Sequence, residues 1–183
     1  MKQSFIAIVA GLSLLGGAAL AAENPMVGGA AMYDSKTIVE NAAASADHTT
    51  LVAAVQAAGL VETLSGSGPF TVFAPVNAAF DKLPPGTVET LLKPENKATL
   101  GEVLACHVVE GAVMSEALVK MVADQGGSYA VPTLGGCTLT AKVSDGKVML
   151  GDENGTLATV SLADVRQSNG VIHVIDAVLT PKM

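Results

Sequence analysis

Two cysteines, Cys106 and Cys137, and three histidines, His48, His107 and His173, are the side chains best able to do chemistry in this chain. A Ser–His–Asp hydrolase presents its serine on a sharp Gly-x-Ser-x-Gly turn, and no such turn is present. Ser67, within Gly66-Ser67-Gly68, is a loop serine ahead of a strand. His107 and His173 sit inside apolar, strand-like runs, where an imidazole serves more often as a hydrogen-bonded structural group than as a base. His48, beside Asp47 at a helix start, reads as a solvated capping neighbour. Two cysteines without histidines at ligand spacing do not complete a zinc set. Asp152-Glu153-Asn154-Gly155 lacks the ligand spacing and closing Glu of a calcium loop and reads as a hairpin turn. The expectation is a protein without catalytic residues, metal or cofactor.

The start of the chain says where the cysteines reside. Met1-Lys2 is a short positive start, Phe5–Leu15 is apolar, and Ala19-Leu20-Ala21 supplies the small residues that a signal peptidase needs. Residues 1–21 therefore read as a secretory signal rather than a retained anchor, since the apolar stretch is short for a bilayer. Cleavage after Ala21, or one residue later, would leave a chain with nine positive and seventeen negative residues. Residues 22–33, rich in small side chains, read as a linker. No later run has the length of a membrane span, no cysteine near the cleavage site could take a lipid, and Pro181-Lys182-Met183 is no hydrophobic tail. The expected location is the periplasm or the exterior. There an even pair of cysteines predicts a disulfide, with two buried thiols or a metal pair as the alternatives.

Composition narrows the partners. With 183 residues, 50% of them hydrophobic, the chain has the apolar content for one folded domain. Aromatics are only 3%, so Ala, Val, Leu and Met must fill most of the core. Ten Lys+Arg stand against seventeen Asp+Glu, the net charge is −7, and Arg166 is the single arginine. Such a surface repels phosphate backbones and excludes nucleic acid as a partner class.

Periodicity then divides the chain. Helices are expected at 36–44, with Asp34-Ser35 as cap, at 49–58 with Gly59 as its stop, at 78–83 capped by Asn77, at 87–92, at 94–106 and at 115–122. Phe70–Phe73 and His107–Val109 read as short strands. From Tyr129 the period becomes two, with strands at 129–132, 137–143, 147–150, 156–161 and 171–179, and Asp145-Gly146 marks a hairpin. Helices first and antiparallel strands second make an α+β layout. Three of the four phenylalanines, Phe70, Phe73 and Phe80, fall in one segment expected at the centre of the core. Val171–Leu179 is apolar almost without break, as in a strand buried on both faces.

Three segments, Phe70–Leu83 (FTVFAPVNAAFDKL), Val103–Gly111 (VLACHVVEG) and Asn169–Leu179 (NGVIHVIDAVL), together resemble the fasciclin domain family. The resemblance covers residues 34–181 and rests on Phe73, Pro75, Asn77, Phe80, His107, Asn169, Gly170, His173 and Asp176. It implies a fasciclin-like wedge or sandwich of antiparallel strands with the N-terminal helices packed against it. The family usually has Thr at Val76, an acid at Ala78 and Tyr at Cys106; a cysteine in place of that tyrosine, with Cys137 available, suggests a disulfide in place of aromatic packing. In matrix relatives an Asp-Ile pair corresponding to Asp164-Val165 is implicated in integrin recognition. Here the pair is a candidate binding site, or else a strand-edge acid beside a core valine. The resemblance implies a non-enzymatic adhesion or interaction module of the envelope or matrix, with a protein or cell-surface glycan as partner. The other reading is a periplasmic binder of a small lipid or glycan in a cleft between helices and sheet.

Overall fold

The computed structural model describes residues 24–182; the expected signal segment lies outside them. The helical half comprises α1 (Ile38–Ala44), α2 (Thr49–Ala58), α3 (Val61–Ser65), α4 (Asn77–Asp81), α5 (Thr87–Leu91) and α6 (Lys97–Ala105), with α7 (Ser115–Asp124) apart. The strands are β1 (Met26–Val27), β2 (Ala30–Ala31), β3 (Phe70–Pro75), β4 (Val108–Glu110), β5 (Ser128–Pro132), β6 (Thr138–Ser144), β7 (Lys147–Gly151), β8 (Leu157–Gln167) and β9 (Gly170–Ile175). Seven strands form one wedge-like sheet in the order β4-β3-β9-β8-β7-β6-β5. The fold is α+β, as the segregated pattern predicts.

Four features depart from the expectation. The sheet is mixed, because β3 and β9 run parallel, Phe70 opposite Gly170 through Pro75 opposite Ile175. The expected strand at 156–161 runs on to Gln167 through two register shifts between Val160 and Val165. Part of the stretch read as a linker is folded: β1 and β2 make a small hairpin, and Val27 and Met32 are buried in the core. The cap of α1 is also Thr37 rather than Asp34-Ser35. Its hydroxyl accepts from the Glu40 amide while the Glu40 carboxylate accepts from the Thr37 amide, a reciprocal capping box.

Alternation along β3 and β9 explains why both are so apolar. Val72, Ala74, Ile172 and Val174 face a core beneath α1, α2, α3 and α6, with Leu51, Leu64 and Leu104. Phe73 and Ile175 face a second core beneath α7, with Leu118, Val122, Leu139, Leu150 and Leu179. A strand with both faces covered has no solvent side to mark with polar residues. Among the described residues Phe73 is the one fully buried phenylalanine; Phe70 and Phe80 are half-buried at the margin of the first core.

Cys106 and Cys137 are joined by a disulfide across a Cα separation of 5.4 Å. It ties the end of α6 to the residue before β6. Gly135 makes the approach possible: its N–H bonds the Ala105 carbonyl at 3.0 Å, and a Cβ there would lie 2.7 Å from the Cys106 nitrogen. Only a residue without a side chain can lie that close to the helix end.

Candidate functional site

The residues singled out by sequence do not converge on one catalytic centre. Most of the polar ones are cross-ties joining segments distant in the chain. His107, fully buried, donates from Nδ1 to the Val103 carbonyl at 2.8 Å and accepts at Nε2 from the Leu179 amide at 2.9 Å. His173, also fully buried, has the other tautomer, because Nδ1 accepts from the Asp164 amide at 3.2 Å and Nε2 donates to the Val113 carbonyl at 2.8 Å. Its ring stacks on Phe73 with centroids 5.5 Å apart. Burial depresses the pKa of both; for His107 it falls to about 4, against the opposing effect of the Val103 bond and the Asp152 charge. With both ring nitrogens engaged by backbone, neither imidazole is free to shuttle a proton.

His48 corrects the expectation of a solvated residue. It is buried, its Nδ1 lies 3.0 Å from the Ser45 hydroxyl, and burial lowers its pKa.

Asn77 was expected to cap its own helix. Val76 holds that position, and Asn77 opens α4 with its side chain directed to another helix. Its Oδ1 accepts from the Thr50 amide at 3.0 Å and the Thr49 hydroxyl, and its Nδ2 donates to the Ala46 carbonyl at 2.8 Å. Asn77 thereby serves one of the orphan amides that begin α2, which has no side-chain cap of its own.

Asn169 does similar work in the β8–β9 turn. Its Oδ1 accepts from the Ile38 amide at 3.0 Å, and its Nδ2 donates to the carbonyls of Leu64 and Gly66. The adjacent Gly170 lets β9 lie against β3, since a Cβ there would be 1.9 Å from the Phe70 oxygen. Asp176 accepts the Thr159 amide at 2.7 Å, and Lys82 approaches it to 3.6 Å. Pro75 ends β3, and Phe80 closes the space beneath α5 and α6.

Asp164 stands in the bulge of β8 with φ of +60°. Its Oδ1 accepts from the Ser115 amide at 2.6 Å and its Oδ2 from the Ser115 hydroxyl. The carboxylate thus caps α7 from a neighbouring strand, against the positive end of the helix dipole. Serine, histidine and aspartate do meet here, yet in the wrong order for hydrolysis. The serine donates to the acid, and the histidine accepts the acid's backbone amide rather than the serine proton. Val165 is buried in the first core, with 1% of its surface exposed.

Two groups escaped sequence reasoning. Asp152 is more than a turn residue. Its Oδ2 accepts from the Thr180 amide at 2.9 Å and its Oδ1 from the Thr156 amide at 2.7 Å. Burial opposes its ionisation, but the Thr180 and Thr156 bonds outweigh that and lower its pKa. The second is a broad hollow of about 650 Å³ where Arg166 meets the turns at Ser67 and Ser168. Its only advance sign is that Arg166 is the single arginine. Between helices and sheet, by contrast, the crevices measure about 30 and 20 Å³, so the cleft expected there is filled. Among the described residues no three His, Cys, Asp or Glu side chains gather as a metal site, and no helix is long and apolar enough to cross a membrane.

The Fasciclin domain model matches residues 46–181. Protein sll1483 of Synechocystis is 52% identical over 161 residues, spanning 88% of this chain and 82% of that protein. Immunogenic protein MPB70 of Mycobacterium bovis is 34% identical over 138 residues, 73% of this chain and 63% of its own. Human periostin is 31% identical over 135 residues, 74% of this chain but 15% of periostin. Among solved structures, the FAS1 domain pair of the insect cell adhesion molecule Fasciclin I superposes with a TM-score of 0.70 at 20% identity, over 79% of this chain and 50% of that one. At that identity the likeness is one of fold. The sequence matches carry the assignment further, and the chain belongs to the fasciclin domain family.

Proposed function

We propose that this domain is an exported, non-enzymatic adhesion or interaction module of the cell envelope or its surroundings. The observation that carries the reading is the commitment of His107 and His173, and of the Asp164 carboxylate, to holding backbone segments together. A protein whose buried polar groups are engaged in this way offers a preformed surface rather than a reaction centre. The disulfide fits an oxidising compartment, and the structural likeness to a cell adhesion molecule accords with docking. The contact expected at Asp164 and Val165 enters in altered form. Val165 is buried, so a partner approaching this strand meets half-buried Asp164 and exposed Arg166. A lipid chain has no room in the filled crevices under the helices and would have to displace core side chains.

Crosslinking of the full chain in its native envelope, followed by mass spectrometry, tests this. Recovery of a defined macromolecular partner supports it. Labelling by a serine-reactive phosphonate that disappears in His107→Ala would establish a hydrolase and overturn it.

A further inference from the structure

The hollow around Arg166 has a composition unlike the rest of the surface. The chain carries seventeen acids, yet none lines this hollow. The one ion pair among the described residues joins Lys82 to Asp176, so no carboxylate neutralises the exposed Arg166 guanidinium. Ser67 and Ser168 bring hydroxyls to its rim, while Pro69, Ala112 and Met114 supply apolar surface. Two close backbone approaches fix the segments that line it. A Cβ on Gly68 would lie 2.1 Å from the Asn169 oxygen, and one on Gly170 would lie 1.9 Å from that of Phe70.

We infer that this hollow seats one acidic sugar residue of a surface or matrix polysaccharide, a uronic acid unit held by its carboxylate on Arg166. The inference rests on the docking reading and names the chemistry of the partner. A single guanidinium, with no lysine in the lining, matches one negative charge, and its planar fork can donate two parallel bonds to a carboxylate. The serines match the hydroxyls of a sugar ring, and the apolar patch matches its C–H face. A volume of about 650 Å³ lies within the usual range for ligand sites. Its open form suits a residue within a chain passing across the surface, where an enclosed pocket would suit a free metabolite. Elsewhere the protein's net charge of −7 repels an acidic polymer, so contact is confined to this place.

Amide chemical shifts of the full chain, followed during titration with a glucuronate-containing disaccharide, provide the test. Saturable shifts confined to residues 67–68, 112–114 and 166–171 are expected. They should weaken severalfold in Arg166→Lys and vanish in Arg166→Gln, with the remaining spectrum unchanged because Arg166 is exposed. Three results would overturn the inference: equal shifts with a neutral disaccharide, unaltered binding in Arg166→Gln, or a pattern reproduced in full by sodium sulfate. The last would mean a bare anion contact. If the disaccharide gives no shifts while crosslinking returns a protein partner, the sugar site is lost and the docking reading stands. If the chain is labelled as a hydrolase, the docking reading is lost whatever the titration shows.

Discussion

The Nε2 atom of His107 accepts the amide hydrogen of Leu179 at 2.9 Å, joining residues 72 positions apart. The next amide, that of Thr180, is held by Asp152. Two titratable acceptors therefore grip consecutive backbone donors behind the last strand.

Protonating His107 replaces the acceptor at Leu179 with a second donor. The folded pKa is about 4 and the ordinary value 6.5, so between them the folded state binds fewer protons than the unfolded chain. Stability should be fully present above about pH 6.5, fall as pH falls toward 4, and flatten below, a loss of about 3 kcal/mol from this group. Urea midpoints across that range should show a shallower slope in His107→Gln, with about 2 kcal/mol less stability at neutral pH. A variant that kept the whole wild-type slope would place the proton elsewhere.

Removing the bridge with Cys106→Ala and Cys137→Ala should cost roughly 3.5 kcal/mol in the chain-entropy model. The melting midpoint should fall by about 10 °C, given the usual size scaling. Peptide mapping without reductant should recover the two cysteines joined. Finding both freely alkylated in exported protein would contradict the bridge.

At Asp164 the cap and the backbone angle can be separated. Asp164→Asn keeps an acceptor and tolerates positive φ, Asp164→Gly keeps only the tolerance, and Asp164→Ala keeps neither. Thermal melts should rank wild type above Asn, Asn above Gly and Gly above Ala, with about 2 kcal/mol between the extremes. Alanine matching wild type would show that α7 does not depend on this carboxylate.

Gly170→Ala places a methyl 1.9 Å from a backbone oxygen that cannot move aside. It should lower stability by about 3 kcal/mol or more, or leave the protein insoluble on expression. Gly126→Ala is the control, since nothing lies within 4 Å there and only the positive φ opposes it; about 1 kcal/mol is expected. Similar melts for the two would remove the case for close strand approach at Gly170.

Much of the fold was legible because its signals are local. Helix α2 ends at Gly59 where a left-handed stop was expected, and the two-residue period after Tyr129 marks β5 to β8. What could not be read depends on partners distant in sequence. The parallel pairing of β3 with β9 leaves no local trace, and nothing near Asn77 announces that it serves α2. His48 was misjudged for the same reason: beside Asp47 it looks solvated, and only the packing around it buries it. Asp164 stood out only as a candidate contact or a strand-edge acid; its role as the cap of α7 depends on the bulge that turns it toward Ser115.

The parallel ladder between β3 and β9 has a consequence for biogenesis. Phe70 can pair with Glu110 on one edge, but the other edge of its strand must wait for Gly170, made one hundred residues later. Early in synthesis the N-terminal helices can form turns but have no completed sheet to rest on. Assembly is therefore a late event with large loops to close, slow by the standards of helical bundles. A ribosome that stalls before β9 would release an apolar, aggregation-prone fragment.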